Sequence, residues 1–358
     1  MRAAAVLPSR NEESTIANVA AAVVTAIGTH DTMIVNVDAS SSDETARNFL
    51  NATLPICKQQ LRLKEAGKGR QIFAGLHLVS KADCVLVIDT DTKNADYSTY
   101  RALVSEVVLG SDLAIADYPR FWYEGNLSNH IIRPLLLATT GLNIPQPIAG
   151  DIALSRRAVR ALLKWFNTAS SLGPILNAIN GYGIDIAILL KCLDIGKVTS
   201  VRLDRPKRHA VSFPHFRQIY QEEIPVLLAG LKSGSVPHKA YDESYRLDGG
   251  QLNDNQYNSM LLALNQWKSE ALEIDSMNLW PKPLFKAWEA AQNGSDIETV
   301  THTLWPAYVQ RAIDYLVVGQ SCGIDAANSM LVNGLRATVN NIRGCEIPGT
   351  TRPIKYNR

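Results

Sequence analysis

Short β-branched apolar runs alternate with helical patterns over the first 120 residues, and this alternation constrains the fold more than any other feature of the chain. A strand, a helix and a further strand make a crossover unit, and repeating it builds a mostly parallel sheet with helices on both faces. Four strands are expected, at Ala3 to Leu7, Met33 to Val37, Cys84 to Ile88 and Asp112 to Ala116. Helical patterns fall at Ser14 to Ile27, from Ser42 to about Leu50 and around Arg70 to Leu78. Three strands run into a carboxylate, Asp38, Asp89 and Asp117, at the edge where open α/β sheets take their ligands.

From Asn126 onward the pattern is helical, broken by the loop Ile144 to Asp151 and the glycines Gly181 and Gly183, and closed by an apolar run at Val198 to Leu203. A proline-rich, basic tract, Asp204 to Phe216, then changes the composition. Beyond it only helices are read, at Arg217 to Leu231, Asn255 to Leu272, Lys282 to Gln292, Asp296 to Val318 and Asp325 to Ile342. The expected division is an α/β catalytic domain, 1–215, with halves 1–120 and 121–215, and a helical extension, 216–358, whose last fifteen residues lie as a surface tail.

With 46% hydrophobic residues in 358, the chain has apolar material for one large domain or two ordinary ones, and disorder is not the default. A net charge of +2 argues no general affinity for nucleic acid or an anionic membrane, so any anion site is local. Five scattered cysteines with no CxxC pair argue against a disulfide framework or structural zinc. The first residues lack a signal-peptide pattern. The nearest candidate span, Ile131 to Leu142, is too short and contains Arg133 and Pro134. A soluble, cytoplasmic protein is the expectation.

The sharpest chemical signal is Val85-Leu86-Val87-Ile88-Asp89-Thr90-Asp91, a buried strand delivering two carboxylates into a loop. Carboxylate oxygens together with diphosphate oxygens suit a hard cation such as Mg²⁺ or Mn²⁺. An isolated DxD is more often a solvated loop; here the strand ahead of it changes the balance. The first strand opens into Leu7-Pro8-Ser9-Arg10-Asn11-Glu12-Glu13-Ser14-Thr15, read as a turn and a capped helix start. The second opens into Asp38-Ala39-Ser40-Ser41-Ser42-Asp43-Glu44-Thr45, an acid and hydroxyls suited to a base edge or ribose, with Ser42 as the helix cap. In Gly67-Lys68-Gly69-Arg70 the glycines admit close backbone approach and the cations suit a diphosphate at a helix N-terminus, without the Walker spacing.

In order, PSRNEES, VDASSSDET, GKGRQIFAGL and VIDTD resemble the nucleotide-sugar glycosyltransferases of the GT-A fold. That resemblance implies a donor such as UDP-glucose or GDP-mannose, lined by Pro8, Arg10 and Glu12 at the nucleoside, with Asp38, Lys68, Asp89 and Thr90 on the donor and Asp91 on the metal. Pro147-Ile148-Ala149-Gly150-Asp151, Gly181-Tyr182-Gly183-Ile184-Asp185 and Arg208-His209 are similar to segments of the retaining glucosyl-3-phosphoglycerate synthases and their mannosyl relatives, which carry Glu where this chain has Asp151 and Asp185. By that likeness His209 completes the metal site, and Arg133, Gly150, Asp151 and Tyr182 bind the acceptor, 3-phosphoglycerate or glycerate. Asp151 and Asp185 are the catalytic candidates. For Asp185 a first-turn acid serving the helix dipole is an equal reading.

Arg120, Arg133 and the Arg205 to Arg208 cluster suit a phosphorylated acceptor or a solvated basic face. Phe121-Trp122-Tyr123 serve as acceptor wall or, more commonly, core. Among the C-terminal helices Trp267, Trp280, Trp288 and Trp305 are read as packing residues, with a homodimer contact or an acceptor-site lid as the alternative. Three rivals stand beside the small-acceptor transferase: a polyprenyl-phosphate hexosyltransferase, a sugar-phosphate nucleotidyltransferase, which would need a GxGxR-type loop at Pro8-Ser9-Arg10-Asn11, and an inactive nucleotide-sugar-binding protein.

Overall fold

The computed structural model describes residues 1–168, 173, 175–209, 213–231, 243–245, 247–248 and 254–344, so the expected surface tail from 345 onward lies outside it. Among these residues the chain divides into two compact units, 1–118 with 148–209, and 119–147 with 213–344. The segment 119–147, which the sequence places with the acceptor half, is thus grouped with the C-terminal helices. Its apolar helix α5 (Arg133–Thr140) packs there on α14 (Ile324–Arg343).

In the first unit, β1 (Ala3–Ser9), α1 (Ile16–Ile27), β2 (Met33–Asp38), α2 (Thr45–Asn51), β3 (Cys57–Arg62), α3 (Lys68–Leu78), β4 (Cys84–Val87), α4 (Tyr97–Val108) and β5 (Leu113–Asp117) alternate as expected. The part after 147 adds β7 (Ile152–Ser155), α6 (Arg156–Asn167), α7 (Ile175–Asn180), α8 (Ile184–Ile195) and β8 (Val198–Arg202). The seven strands lie in the order β3-β2-β1-β4-β7-β5-β8, all parallel but β7, which runs antiparallel to β4 and β5. Two strands are additions to the sequence reading. β3, Cys-Lys-Gln-Gln-Leu-Arg, is a polar edge strand without an apolar run, and β7 is only four residues long. Such short or half-solvated strands leave little hydrophobic signal.

Burial follows the periodicity. Ala5, Leu7, Ile34, Leu86, Ala114 and Ala153 supply one sheet face, covered by Ile16, Val19, Ala20 and Val23 of α1 and Leu103 of α4. Pro8 sits in a central strand at no cost to the ladder. The Val6 carbonyl accepts from Ile88 N–H, so Pro8, two residues on, turns its backbone to the same side. There β4 has ended, and its neighbour is the Thr90 hydroxyl, which donates to the Pro8 carbonyl at 2.8 Å.

Two expected caps differ. Thr15 precedes α1 without a side-chain cap and turns its hydroxyl to the Glu12 carboxylate at 3.1 Å. α2 begins at Thr45 behind Glu44, and the Ser42 N–H donates to Asn11 Oδ1 at 2.9 Å, lacing the first two loops together.

Among the described residues the second unit has helices and one short strand pair, β6 (Arg120–Phe121) and β9 (Leu247–Asp248). Its helices are α5, α9 (Phe216–Gly230), α10 (Asp254–Asn265), α11 (Ser276–Leu279), α12 (Pro281–Gln292), α13 (Ile297–Cys322) and α14. Trp280, Trp288 and Trp305 are buried in it, as are Trp122 and Tyr123 of the aromatic patch, while Phe121 is half-buried. No described helix is long and apolar enough to cross a membrane, and Cys57, Cys84, Cys192 and Cys322 are free thiols.

Candidate active site

Parallel strands bring their carboxyl ends to one edge, and the antiparallel β7 brings its start to the same edge. Val87 pairs with Ile152, so Asp151, just ahead of β7, lies beside the end of β4. The Asp89 N–H donates to Asp151 Oδ1 at 3.0 Å, and the Tyr118 hydroxyl, just past β5, donates to Asp151 Oδ2 at 2.6 Å. Asp151 is wholly buried. Topology, not sequence proximity, builds this pair.

Two ammonium groups meet these acids. Lys68, the first residue of α3, reaches Asp185 Oδ2 at 2.8 Å and Asp89 Oδ1 at 3.2 Å. Lys207, from the loop after β8, reaches Asp89 Oδ2 at 3.3 Å and Asp151 Oδ2 at 3.1 Å. The result is an alternating chain, Asp185, Lys68, Asp89, Lys207, Asp151, ending on the Tyr118 hydroxyl. Burial works against the charge of Asp89, but Lys68 and Lys207 outweigh it and hold its carboxyl well below the usual range. Burial alone would lower both lysines; the acids around each reverse this and raise them. Asp185 is pushed up to about 6 by burial, with Lys68 pulling the other way. Asp185 stands in the first turn of α8, as the helix-dipole reading expects, and also has an ion-pair partner in Lys68.

The glycines of the GKG segment act differently from the sequence reading. A Cβ on Gly67 would lie 2.4 Å from the Asn180 carbonyl oxygen, and one on Gly69 1.8 Å from that of Ile179. Gly69 N–H donates to the Gly181 carbonyl at 3.0 Å. What approaches these glycines is protein backbone, the turn between α7 and α8, and this packing carries Lys68 to Asp185. Tyr182 lies in that turn, half-buried, and its carbonyl accepts from Asp185 N–H. Gly150 is crowded by the acids: a Cβ there would lie 1.9 Å from Asp89 Oδ2.

Asp91 and His209 face each other, Oδ2 to Nδ1 at 3.7 Å. The 205–209 loop is stitched to the loop after Asp91, with Lys93 N–H donating to the Arg208 carbonyl and Arg208 N–H to Asn94 Oδ1, both at 2.7 Å. Asp91 Oδ1 is buried with no hydrogen-bond partner. Burial raises the Asp91 carboxyl, opposed by Lys207 and reinforced by Asp89. Glu12 is lifted to about 7, first by burial and then by the charge of Asp91. No group of three or more metal-ligating side chains occurs among the described residues.

The remaining candidates sit as follows. Thr90 is buried on Pro8, and Arg10 is exposed beyond the end of β1. Asp38 is buried and takes the Ser41 hydroxyl and N–H, which closes its own turn, with Arg62 4.0 Å away. Arg133 lies in the second unit, buried, bonded to Asn143 Oδ1 at 2.7 Å and the Ser244 carbonyl at 2.8 Å, its guanidinium 4.0 Å from the Tyr245 ring centre. Lys207 is the residue that sequence reasoning did not single out: Arg205-Pro206-Lys207-Arg208 suits a phosphorylated acceptor or a solvated basic face as a group, and no local signal marks Lys207 as the buried member.

The fold is that of the GT-A-type glycosyltransferases among solved structures. A crystal structure of glucosyl-3-phosphoglycerate synthase from Mycobacterium tuberculosis with Mg²⁺ and UDP aligns with a TM-score of 0.52 and 23% identity, covering 64% of this chain and 79% of that one. The same enzyme with Mn²⁺, UDP-glucose and phosphoglyceric acid gives identical figures, 0.52, 23%, 64% and 79%. A further mycobacterial protein aligns at 0.52 with 21% identity, over 64% of this chain and 74% of its own. By sequence, no family model and no curated protein matches the chain.

Proposed function

We propose that this chain is a metal-dependent glycosyltransferase that moves a hexose from a nucleotide-diphospho-sugar to a small acidic acceptor. One observation carries the reading: a buried, unpartnered carboxylate oxygen of Asp91 beside His209, at the same sheet edge as the Lys68 and Lys207 ion chain. Four carboxylates, Asp89, Asp91, Asp151 and Asp185, stand there against two ammoniums, so an anionic diphosphate needs further positive charge to enter. A carboxylate and an imidazole suit Mg²⁺ or Mn²⁺ whose other ligands are phosphate oxygens and water. Asp91 and His209 would hold that cation, which supplies charge neutralisation at the departing diphosphate.

The chain's own residues then divide the work. Lys68 and Lys207 keep Asp89 ionised and fixed, so the loop after β4 does not rearrange as the donor binds. Asp185, on Lys68, accepts from a sugar or acceptor hydroxyl, and Glu12 and Asp38 border the nucleoside. UDP-glucose and phosphoglyceric acid are the first donor and acceptor to try, because the structural neighbours hold them.

The test is a thermal-shift panel of UDP- and GDP-sugars with and without Mn²⁺, followed by release of nucleoside diphosphate on adding 3-phosphoglycerate or glycerate. One donor should stabilise the protein only with metal present, and indifference to every nucleotide sinks the proposal. Asp91→Ala should abolish that stabilisation with little change in melting temperature, because Asp91 supports a ligand and not the core.

A further inference from the structure

We infer that Lys207 is a positioning residue: through Asp89 and Asp151 it holds the 205–209 loop so that His209 faces Asp91. The inference rests on the transferase reading and adds to it a determinant of metal affinity that touches neither metal nor sugar.

Lys207 precedes His209 by two residues, and its side chain is only 11% exposed, while Arg205 on the same loop is 84% exposed. Its anchors do not move easily. Asp151 is fixed by the Tyr118 hydroxyl at 2.6 Å and by Asp89 N–H at 3.0 Å, and Asp89 is also held by Lys68 at 3.2 Å. The loop is therefore pinned to β4 and β7 through a side chain. A second fastening is through the backbone: Asn94 accepts from Arg208 N–H at 2.7 Å and donates to the Pro206 carbonyl at 2.9 Å. Both fastenings lie just ahead of His209. Asp89, the first acid of the DxD, is taken up by the two lysines, so Asp91 depends on His209 as its neighbour for any cation. Outer partners that orient a ligand typically alter metal affinity by about 10- to 100-fold when removed.

The experiment titrates Mn²⁺ calorimetrically into wild type, Lys207→Met, Lys207→Arg and Asn94→Leu, in the presence of whichever of UDP or GDP stabilises the wild type. Lys207→Met should weaken Mn²⁺ binding by about tenfold or more, Lys207→Arg should recover most of the loss, and Asn94→Leu should weaken it in the same direction. Circular dichroism checks folding, and should Lys207→Met fail to fold, Asn94→Leu, whose side chain lies at the surface, decides the matter. Mn²⁺ affinity within about twofold of wild type in a folded variant overturns the inference, since the outer-partner effect is larger. A wild type that takes up neither Mn²⁺ nor nucleotide overturns the transferase reading itself, a result distinct from normal wild-type binding with insensitive variants.

Discussion

Replacing Lys68 with methionine isolates the energetics of the buried ion chain. Methionine keeps the length of the stem and removes the charge, leaving Asp185 without its ammonium and Asp89 with Lys207 alone. At an effective dielectric of about 20, contacts of 2.8 and 3.2 Å are worth about 6 and about 5 kcal/mol of attraction. Much of that offsets the cost of taking three charges out of water, and deleting one partner of a buried pair typically costs about 3–5 kcal/mol net. With a urea slope of about 3 kcal/mol per M, the midpoint should fall by roughly 1 M or more.

The loss should also depend on pH in a determined direction. Asp185 is pushed up to about 6 even with Lys68 present, and losing the ammonium moves it further up. A carboxyl raised in the folded state binds more protons folded than unfolded, so the variant regains stability as pH falls. The penalty should shrink between pH 8 and pH 5, by at most about 1.4 kcal/mol per pH unit over the range where Asp185 takes up its proton. Urea titrations at the two pH values, followed by circular dichroism, read both effects. Adding Asp185→Leu to Lys68→Met should restore most of the loss, because the stranded charge goes with it. A loss below about 1 kcal/mol, or an equal loss at both pH values, would refute the reasoning.

Two further outcomes follow from single contacts. Gly150→Ala places a methyl 1.9 Å from Asp89 Oδ2, a carboxylate held on both sides by lysines, so a destabilisation of about 1–3 kcal/mol is expected in the melting curve, and an unchanged melt contradicts the packing. Glu12→Gln should match wild type near pH 4.5 and become the more stable of the two as pH rises to about 7, because wild type loses stability while ionising a carboxyl lifted by burial and by Asp91. With the side chain half-exposed, solvent screening limits the difference to about 1 kcal/mol. A constant difference across that range counts against the assignment.

Much of the fold was legible because burial writes itself into the sequence as periodicity. The strands under Val6, Val35 and Leu86 are apolar through and through, as a sheet covered on both faces requires, and α1 shows its buried stripe at Ile16, Val19, Ala20 and Val23. β3 was missed because an edge strand with Lys58, Gln59 and Gln60 has half its surface in water, and β7 because four residues hold too little pattern. A lone arginine among apolar residues carries no mark in the sequence of the Asn143, Ser244 and Tyr245 contacts that Arg133 makes.

Residue types and their order along the chain were enough to place Asp89 and Asp91 at a strand end, Lys68 at a helix start and His209 in a basic loop, since these are local facts of strand, turn and charge. Which of the lysines is buried, which acid it meets and why Gly69 must lack a side chain depend on strands and turns far apart in the chain, 117 residues for Lys68 and Asp185 and 118 for Lys207 and Asp89. An antiparallel β7 decides that Asp151 joins the edge, and the turn at Gly181 decides that Lys68 finds Asp185. Charges paired across such separations have no period in the sequence, because their geometry exists only once the sheet has closed around them.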